Sequence, residues 1–366
     1  MRIGEIYAER SERGAEDMEL LSVTMNDGVK MRSDIEGKDN SSEDKSNYKI
    51  VRAGDMVYNS MRMWQGANGI SPWDGIVSPA YTVLKPRIPL SNGFFAALFK
   101  THRLINEFRK NSQGMTSDTW NLKYPQIETI KTCIPALVEQ EKIAVFLIAL
   151  DQRIEKQRTL VEHLKKYKRG LSEIIFSSLS CPITELSNVC DIIGGGTPDT
   201  GMLDYWNGDI CWFTPTEIGK KKYVVSSARK ITIEGLNKSS AKMLPPYTVL
   251  LTTRATLGEM SIVTTNCCTN QGFQSLVARK ENVLPEYLYY LQTIIKPWCE
   301  KYSSGNTFRE ISKSALGKCS IPVPSLDEQA RIVGCLSLVD AKIENCELML
   351  ENLMKIKSAL VQRLFI

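Results

Sequence analysis

The sequence predicts an α+β protein in which two strand-rich domains are separated by two long antiparallel helices forming a coiled coil, with an internal pseudo-twofold duplication. Three observations predict it. Residues 138–176 align without a gap onto 327–365 with 13 of 39 positions identical, among them Glu139/Glu328, Gln140/Gln329, Asp151/Asp340, Lys168/Lys357 and Phe176/Phe365. Both copies space their apolar residues by alternating threes and fours, the pattern of a coiled-coil seam. The stretches between them carry short β-type runs and glycine turns that recur in the same order. A repeat of this length constrains architecture more than any short motif, and it divides the chain at 1–133, 134–179, 180–321 and 322–366.

The first domain opens on a charged segment, 1–13, without the apolar stretch of a signal peptide. Its β-type runs fall at 48–51, 55–59, 75–77 and 81–84, while 34–47 is polar and aperiodic, the composition of a solvent loop. A stretch from 94 to 108 reads as helix. Pro135 holds the approaching chain extended. Ile143, Leu147, Leu150, Ile154, Val161, Leu164, Tyr167 and Leu171 then form the stripe of the first long helix, with polar Gln157 in the seam. The second domain has β-type runs at 210–213, 223–225, 230–233, 249–253, 261–265 and 273–278, and a helix starting at Pro285. Pro322 and Pro324 precede the second long helix, whose stripe is Ile332, Leu336, Val339, Ile343, Cys346, Leu350 and Leu353. About 40 residues of helix reach roughly 60 Å, and two such helices in one chain pair most simply with each other.

Length and composition are those of a globular protein of two or three domains, with 366 residues, 43% hydrophobic and 24% charged. The net charge of +5 is spread as 18 basic against 17 acidic residues in 1–133 and 15 against 12 in 181–321. A protein gripping DNA alone carries a larger phosphate-neutralising surplus, so local patches and a partner would have to supply much of the grip. Ten cysteines form no CxxC pair and are accompanied by two histidines, which speaks for reduced core thiols and against zinc. No apolar run approaches a membrane span, so the expected location is cytoplasmic, with no membrane partner.

The short landmarks of the two bodies correspond in order. Gly54 to Arg62 matches Pro246 to Arg254, each a strand ending in small polar residues and an arginine; Ser78-Pro79-Ala80-Tyr81 matches Asn270-Gln271-Gly272-Phe273; Ser112-Gln113-Gly114-Met115-Thr116 matches Ser303-Ser304-Gly305-Asn306-Thr307. Together with Leu251-Thr252-Thr253-Arg254-Ala255-Thr256-Leu257-Gly258, Trp212-Phe213-Thr214-Pro215-Thr216-Glu217-Ile218 and the Pro-x-Leu-x-Glu-Gln-x-x-Ile opening of each long helix, these strings make the chain resemble the specificity subunit of type I restriction-modification systems over essentially its whole length. The resemblance implies that each body is a target recognition domain reading one half of a bipartite site in double-stranded DNA. It also implies that the paired helices fix the spacing, that two methyltransferase subunits dock alongside, and that restriction/translocase subunits join the full complex. The first body departs from the pattern, with Asn59-Ser60-Met61-Arg62-Met63-Trp64-Gln65-Gly66 in place of the Thr-Thr-Arg-Ala-Thr-x-Gly form.

Catalytic motifs are missing: no GxxxxGK, HExxH or GxSxG string occurs, nor an Asn-Pro-Pro-aromatic or Asp-Pro-Pro-Tyr tetrapeptide. No catalytic residue, metal ligand or cofactor is therefore expected on this chain; S-adenosylmethionine, ATP and magnesium are expected on partner subunits. Gly194-Gly195-Gly196 could pass for a phosphate cradle but lacks the lysine-bearing helix, and a loop near DNA is the better reading. Arginine reads guanine bidentately, asparagine and glutamine read adenine, and threonine meets the thymine methyl. Candidate DNA-binding residues are accordingly Arg254 with Thr252, Thr253 and Thr256, the phosphate-type run Lys220, Lys221 and Lys222, and Gln271, Gln274, Asn306, Thr307 and Arg309 in polar glycine turns. In the first body they are Arg62, Trp64, Gln65, Tyr81, Gln113 and Thr116. Two other readings stay open: a coiled-coil scaffold or stand-alone DNA-binding protein without a methyltransferase partner, and a self-contained nuclease or methyltransferase.

Overall fold

The computed structural model describes residues 1–14, 17–25, 28–37, 41–254, 256–305 and 309–365. They form two compact units, 1–159 with 347–366 and 160–346, so that each unit contains half of each long helix.

In the first unit the charged N-terminal segment is core. Ile3, Ile6 and Tyr7 are fully buried, in a short helix, Ile3–Ile6, and a strand, Tyr7–Glu9. That strand edges an antiparallel sheet completed by Tyr81–Pro86, Met56–Asn59 and Asn68–Ile70. Beside it lie a hairpin, Leu21–Thr24 with Gly28–Met31, and the pair Lys49–Val51 with Gly75–Val77. The helix expected over 94–108 is two helices, Asn92–Leu98 and His102–Asn111, because Thr101 breaks the first and caps the second, its hydroxyl accepting from Leu104 N at 3.4 Å. Their aromatic faces, Phe94, Phe95, Phe99 and Phe108, pack with Tyr7, Tyr58 and, from the long helices, Ile143, Leu147, Val361 and Phe365.

The second unit has a five-stranded sheet in the order Cys190–Gly194, Gln274–Ala278, Val249–Leu251, Met260–Val263, Tyr223–Val224, and a three-stranded sheet in the order Arg229–Ile231, Trp206–Phe213, Cys267–Thr269. The run at 230–233 stops at Ile231, since Thr232 caps the helix Ile233–Asn237 by accepting from Gly235 N at 3.0 Å. Ile183–Glu185 pairs with Ser320–Pro322, closing the body where the chain leaves one long helix and enters the other. Phe176, Ile332 and Leu336 join the core of the body, so the helices are part of its hydrophobic interior.

The long helices run Leu137–Ser178 and Leu326–Leu364. Ile143, Leu147, Ile154, Val161, Ile332, Leu336, Ile343 and Cys346 are buried as the stripe requires, and so is polar Gln157. Tyr167 is an exception to the expected seam, with 59% of its surface exposed. Its neighbour Lys168 takes the inward role instead, with its ammonium 2.5 Å from Asp340 in the second unit, while in the first unit Lys357 pairs with Asp151. These two ion pairs are images of each other under the 189-residue repeat (340 − 151 = 189; 357 − 168 = 189). Moving up the first helix from 151 to 168 moves the partner down from 357 to 340, the signature of antiparallel pairing.

The repeated glutamines fasten body to helix. Buried Gln329 accepts from Leu284 N at 2.9 Å and donates to Asn282 O and Pro324 O, both at 2.9 Å. Gln140 does the same in the first unit, accepting from Ser91 N at 3.1 Å and donating to Pro135 O at 2.9 Å. Replacing Gln329 with Ala strands one buried N–H and two carbonyls, and is expected to cost about 3 kcal/mol. Gln140→Ala should cost less, having fewer bonds to lose. Chemical denaturation of the two variants measures the difference.

Candidate nucleic-acid interface

In the second unit five loops meet at one edge of the sheets. The turn after Val249–Leu251 is set by its backbone: Gly258 adopts φ +78° and its N–H donates to Thr252 O at 2.9 Å, a conformation that favours glycine. Thr253 N donates to Gly272 O at 2.8 Å, tying this turn to the Asn270 turn. Asn270 N in turn reaches Phe213 O at 3.1 Å, beside the Thr214 loop. Thr214 and Glu217 form a reciprocal cap, with Thr214 N and Oγ1 donating to Glu217 Oε2 at 2.8 and 2.7 Å and Ala228 N donating to Oε1 at 2.7 Å. Glu217 is thus a structural carboxylate.

The glycine triplet is explained by close approach. A Cβ at Gly195 would lie 2.0 Å from Asn270 O and one at Gly196 2.3 Å from Ser240 Oγ, so no side chain fits where the loop crosses its neighbours. Trp212 Nε1 donates to Gly196 O at 2.9 Å and Trp206 Nε1 to Asp199 O at 3.0 Å. The two indoles meet edge-on, and the Arg229 guanidinium stacks 3.6 Å from the centroid of Trp206. This cluster fastens the Gly194–Asp199 loop to the body.

The loops divide the sequence candidates. Arg254 and Thr256 are exposed at the edge, and Gln271 is exposed with its side-chain oxygen against the Thr197 hydroxyl. Thr252 and Thr253 are corrected: both are fully buried, and the Thr252 hydroxyl donates to Thr256 O, so they shape the turn that presents Arg254. Lys220 and Lys221 are exposed, but Lys222 is corrected too. Its half-buried ammonium lies 3.0 Å from both the Tyr290 hydroxyl and Ser337 Oγ and 4.5 Å from the Tyr290 ring centroid. Burial depresses its pKa, with Asp340 opposing the shift. Gln274 is a strand residue whose Oε1 is buried without a hydrogen-bond partner among the described residues. Arg309 is exposed; Asn306 and Thr307 lie outside the described residues. Sequence reasoning missed Glu310, whose carboxylate is 2.9 Å from Arg254 Nη2.

The first unit repeats the layout. Ser60 N approaches Ala80 O at 3.4 Å, and Leu122 N donates to Ser60 O at 2.8 Å, so the turn carrying Arg62 meets the Ser78–Tyr81 turn and the chain following Gln113. Arg62, Gln113 and Thr116 are exposed, and Gln65 is half-buried. Tyr81 is held by a 3.2 Å contact of its hydroxyl to Ser22 Oγ and by Lys49, which donates to its carbonyl at 2.8 Å. Trp64 is half-buried, donating to Met61 O at 3.1 Å and meeting Trp120 edge-on at 5.2 Å, with Arg109 5.5 Å from the Trp120 centroid. Trp120 and Arg109 carried no sequence signal, because nothing in the landmarks places them beside Trp64.

Among the described residues no cluster of metal-ligating side chains occurs, and no helix is long and apolar enough to cross a membrane. Each unit presents an assembled edge of polar loops with exposed arginine, glutamine and threonine, a surface suited to groove and backbone contacts.

Residues 183–352 match the family described as type I restriction modification DNA specificity domain. The type I restriction enzyme MjaIX specificity subunit of Methanocaldococcus jannaschii is 36% identical over 188 residues, covering 50% of this chain and 43% of that one. The putative MjaX specificity subunit of the same organism is 22% identical over 338 residues, 84% of this chain and 76% of that one. The EcoR124I/EcoR124II specificity subunit of Escherichia coli is 29% identical over 157 residues, 40% and 38% of the two chains. The matches thus span less than half the length of the MjaIX and EcoR124I relatives. In fold, the chain superposes over its full length on a chain from a type I restriction-modification assembly, with a TM-score of 0.69, 20% identity and 96% of that chain covered. It also superposes on the HsdS subunit from Thermoanaerobacter tengcongensis, with a TM-score of 0.55, 19% identity and 95% covered. By sequence, residues 183–352 thus carry a type I restriction modification DNA specificity domain, and the whole chain shares the fold of solved type I restriction-modification chains.

Proposed function

We propose that this chain is the DNA sequence-specificity subunit of a type I restriction-modification complex. Each unit reads one half of a bipartite site in double-stranded DNA, and the long helices set the spacer. The observation that carries this reading is the duplicated edge: in both units an arginine-bearing turn, a polar glycine or proline turn and a third loop converge through backbone hydrogen bonds. A scaffold has no need of two such loop clusters. The chain holds and orients DNA while methyl transfer, and any cleavage, take place on partner subunits that bring S-adenosylmethionine, ATP and magnesium. Two methyltransferase subunits dock on the duplicated surfaces, since a pseudo-twofold molecule offers two equivalent sites, and restriction subunits join that core.

Two measurements test the reading. Mapping methylated positions in cells with and without the gene should reveal a bipartite motif that disappears with the chain; an unchanged methylation map would defeat the proposal. The purified chain incubated with duplex DNA, labelled S-adenosylmethionine, magnesium and ATP should transfer no methyl group, whereas native mass measurement of the co-expressed assembly should give one specificity chain with two methyltransferases. A stable one-to-one complex at saturation would count against the stoichiometry.

A further inference from the structure

We infer that Glu310 is a specificity-determining residue that positions Arg254 for base reading; the inference rests on the specificity-subunit reading above. Arg254 Nη2 lies 2.9 Å from Glu310 Oε2, and the side chains are 46% and 37% exposed. The two residues come from separate loops whose backbones are fixed independently. Arg254 follows buried Thr252 and Thr253 in the turn tied to Gly272, and Glu310 sits in a two-residue bridge, its N–H donating to Ser304 O at 2.9 Å and its carbonyl accepting from Ser304 N at 3.0 Å. Both side chains therefore project from defined points toward each other.

An exposed ion pair contributes little to folding, so fold stability gives no strong reason for this one. Phosphate binding gives no reason either, because a carboxylate beside the guanidinium would repel a phosphate approaching it. Base edges are neutral, and there the pair is an advantage. The guanidinium has five N–H donors in a planar fork; the contact to Glu310 falls on Nη2 alone, which leaves donors of the fork for the two acceptors of guanine. A free arginine must lose much of its rotamer freedom on binding, and one already held by a carboxylate loses less. Removing the carboxylate releases the arginine to reach neighbouring phosphates, exchanging base discrimination for sequence-independent grip.

The test maps methylation in a host that expresses the cognate methyltransferase with the wild-type chain, R254A, E310A, E310Q or R254A/E310A. E310A is expected to relax the same base pair as R254A, raising methylation at sites altered there roughly fivefold or more, and to leave the other half-site as in wild type. E310Q keeps a neutral acceptor and should relax that pair less than E310A. The double variant should be no broader than R254A alone. A wild-type motif in E310A and E310Q alongside a relaxed motif in R254A overturns the positioning role. Relaxation at a different base pair overturns it as well, showing that Glu310 reads a base itself. If E310A fails to assemble, E310Q decides by the same two criteria. Identical methylation maps with and without the wild-type chain would instead defeat the specificity-subunit reading, and this inference with it.

Discussion

Four residues inserted in each long helix, after Gln157 and after Cys346, are expected to give a chain that directs methylation to unchanged half-sequences separated by one or two more base pairs. The two positions are equivalent under the repeat (346 − 157 = 189); the second lies at the boundary between the compact units and the first lies two residues before the corresponding boundary. Body-to-helix contacts and both ion pairs, Asp151 with Lys357 and Lys168 with Asp340, therefore stay within their own units. Each insertion adds about 6 Å of helix and about 40° of rotation. B-DNA advances about 3.4 Å and turns about 34° per base pair, so the rotation corresponds to one added pair and the rise allows up to two. A four-residue insertion perturbs a heptad seam only by local unwinding, which keeps the variant foldable. Circular dichroism establishes folding and methylation mapping reads the spacer. A folded variant that still methylates only the original spacing would show that the partners, and not these helices, set the distance.

The repeat was the legible part of the fold because coiled-coil packing restricts residue type at every third and fourth position on both helices, and register survives divergence. Several strands of the bodies were also visible, though Trp206–Phe213 begins four residues before the run read at 210 and Cys190–Gly194 and Cys267–Thr269 gave no readable run; threonine caps ended the run at 230–233 early, at Thr232, and split the helix read over 94–108, at Thr101. The first nine residues were opaque: the segment reads only as charged, yet Ile3, Ile6 and Tyr7 are fully buried, since three apolar residues in so short a run set no readable period. At the candidate site the landmarks picked out the loops but neither their meeting nor the way their side chains face. Thr252 and Thr253 look like readers of bases by residue type and are turned inward by a turn built around Gly258. Lys222 looks like its neighbours Lys220 and Lys221, but strand pairing of Tyr223 and Val224 directs it toward Tyr290. Glu310 was invisible because its relevance comes from Arg254, distant in sequence, and not from any local pattern.

Asp340→Ala is expected to lower the stability of the second unit by about 2–3 kcal/mol, the loss that follows when one partner of a largely buried charge network is removed. Asp151→Ala, its image in the repeat, should cost no more than about 1 kcal/mol. The two aspartates face equivalent lysines in different surroundings. Asp340 is 16% exposed and Lys168 26%, whereas Asp151 is 54% exposed and Lys357 35%. Asp340 also accepts from the Tyr290 hydroxyl at 2.6 Å, and that hydroxyl lies 3.0 Å from the Lys222 ammonium. Removing the carboxylate leaves two ammonium groups around two tyrosine rings with only the smaller influences of Glu286 and Glu344 to balance Lys222. Lys222 supplies the pH signature. Burial already holds its folded pKa below the unfolded 10.5, and Asp340 counters that depression. The penalty on the protonated, folded form is present below the folded pKa and is relieved as pH rises through it toward 10.5. In Asp340→Ala the depression deepens, so the deficit against wild type should be largest near neutral pH and shrink as the solution is made alkaline. Denaturant unfolding followed by tryptophan fluorescence, from Trp206, Trp212 and Trp298 in the second unit and from Trp64, Trp73 and Trp120 in the first, measures both losses and their pH dependence. Equal losses for the two aspartate variants, or a deficit that grows with pH, would show that the network does not carry the charge balance assigned to it.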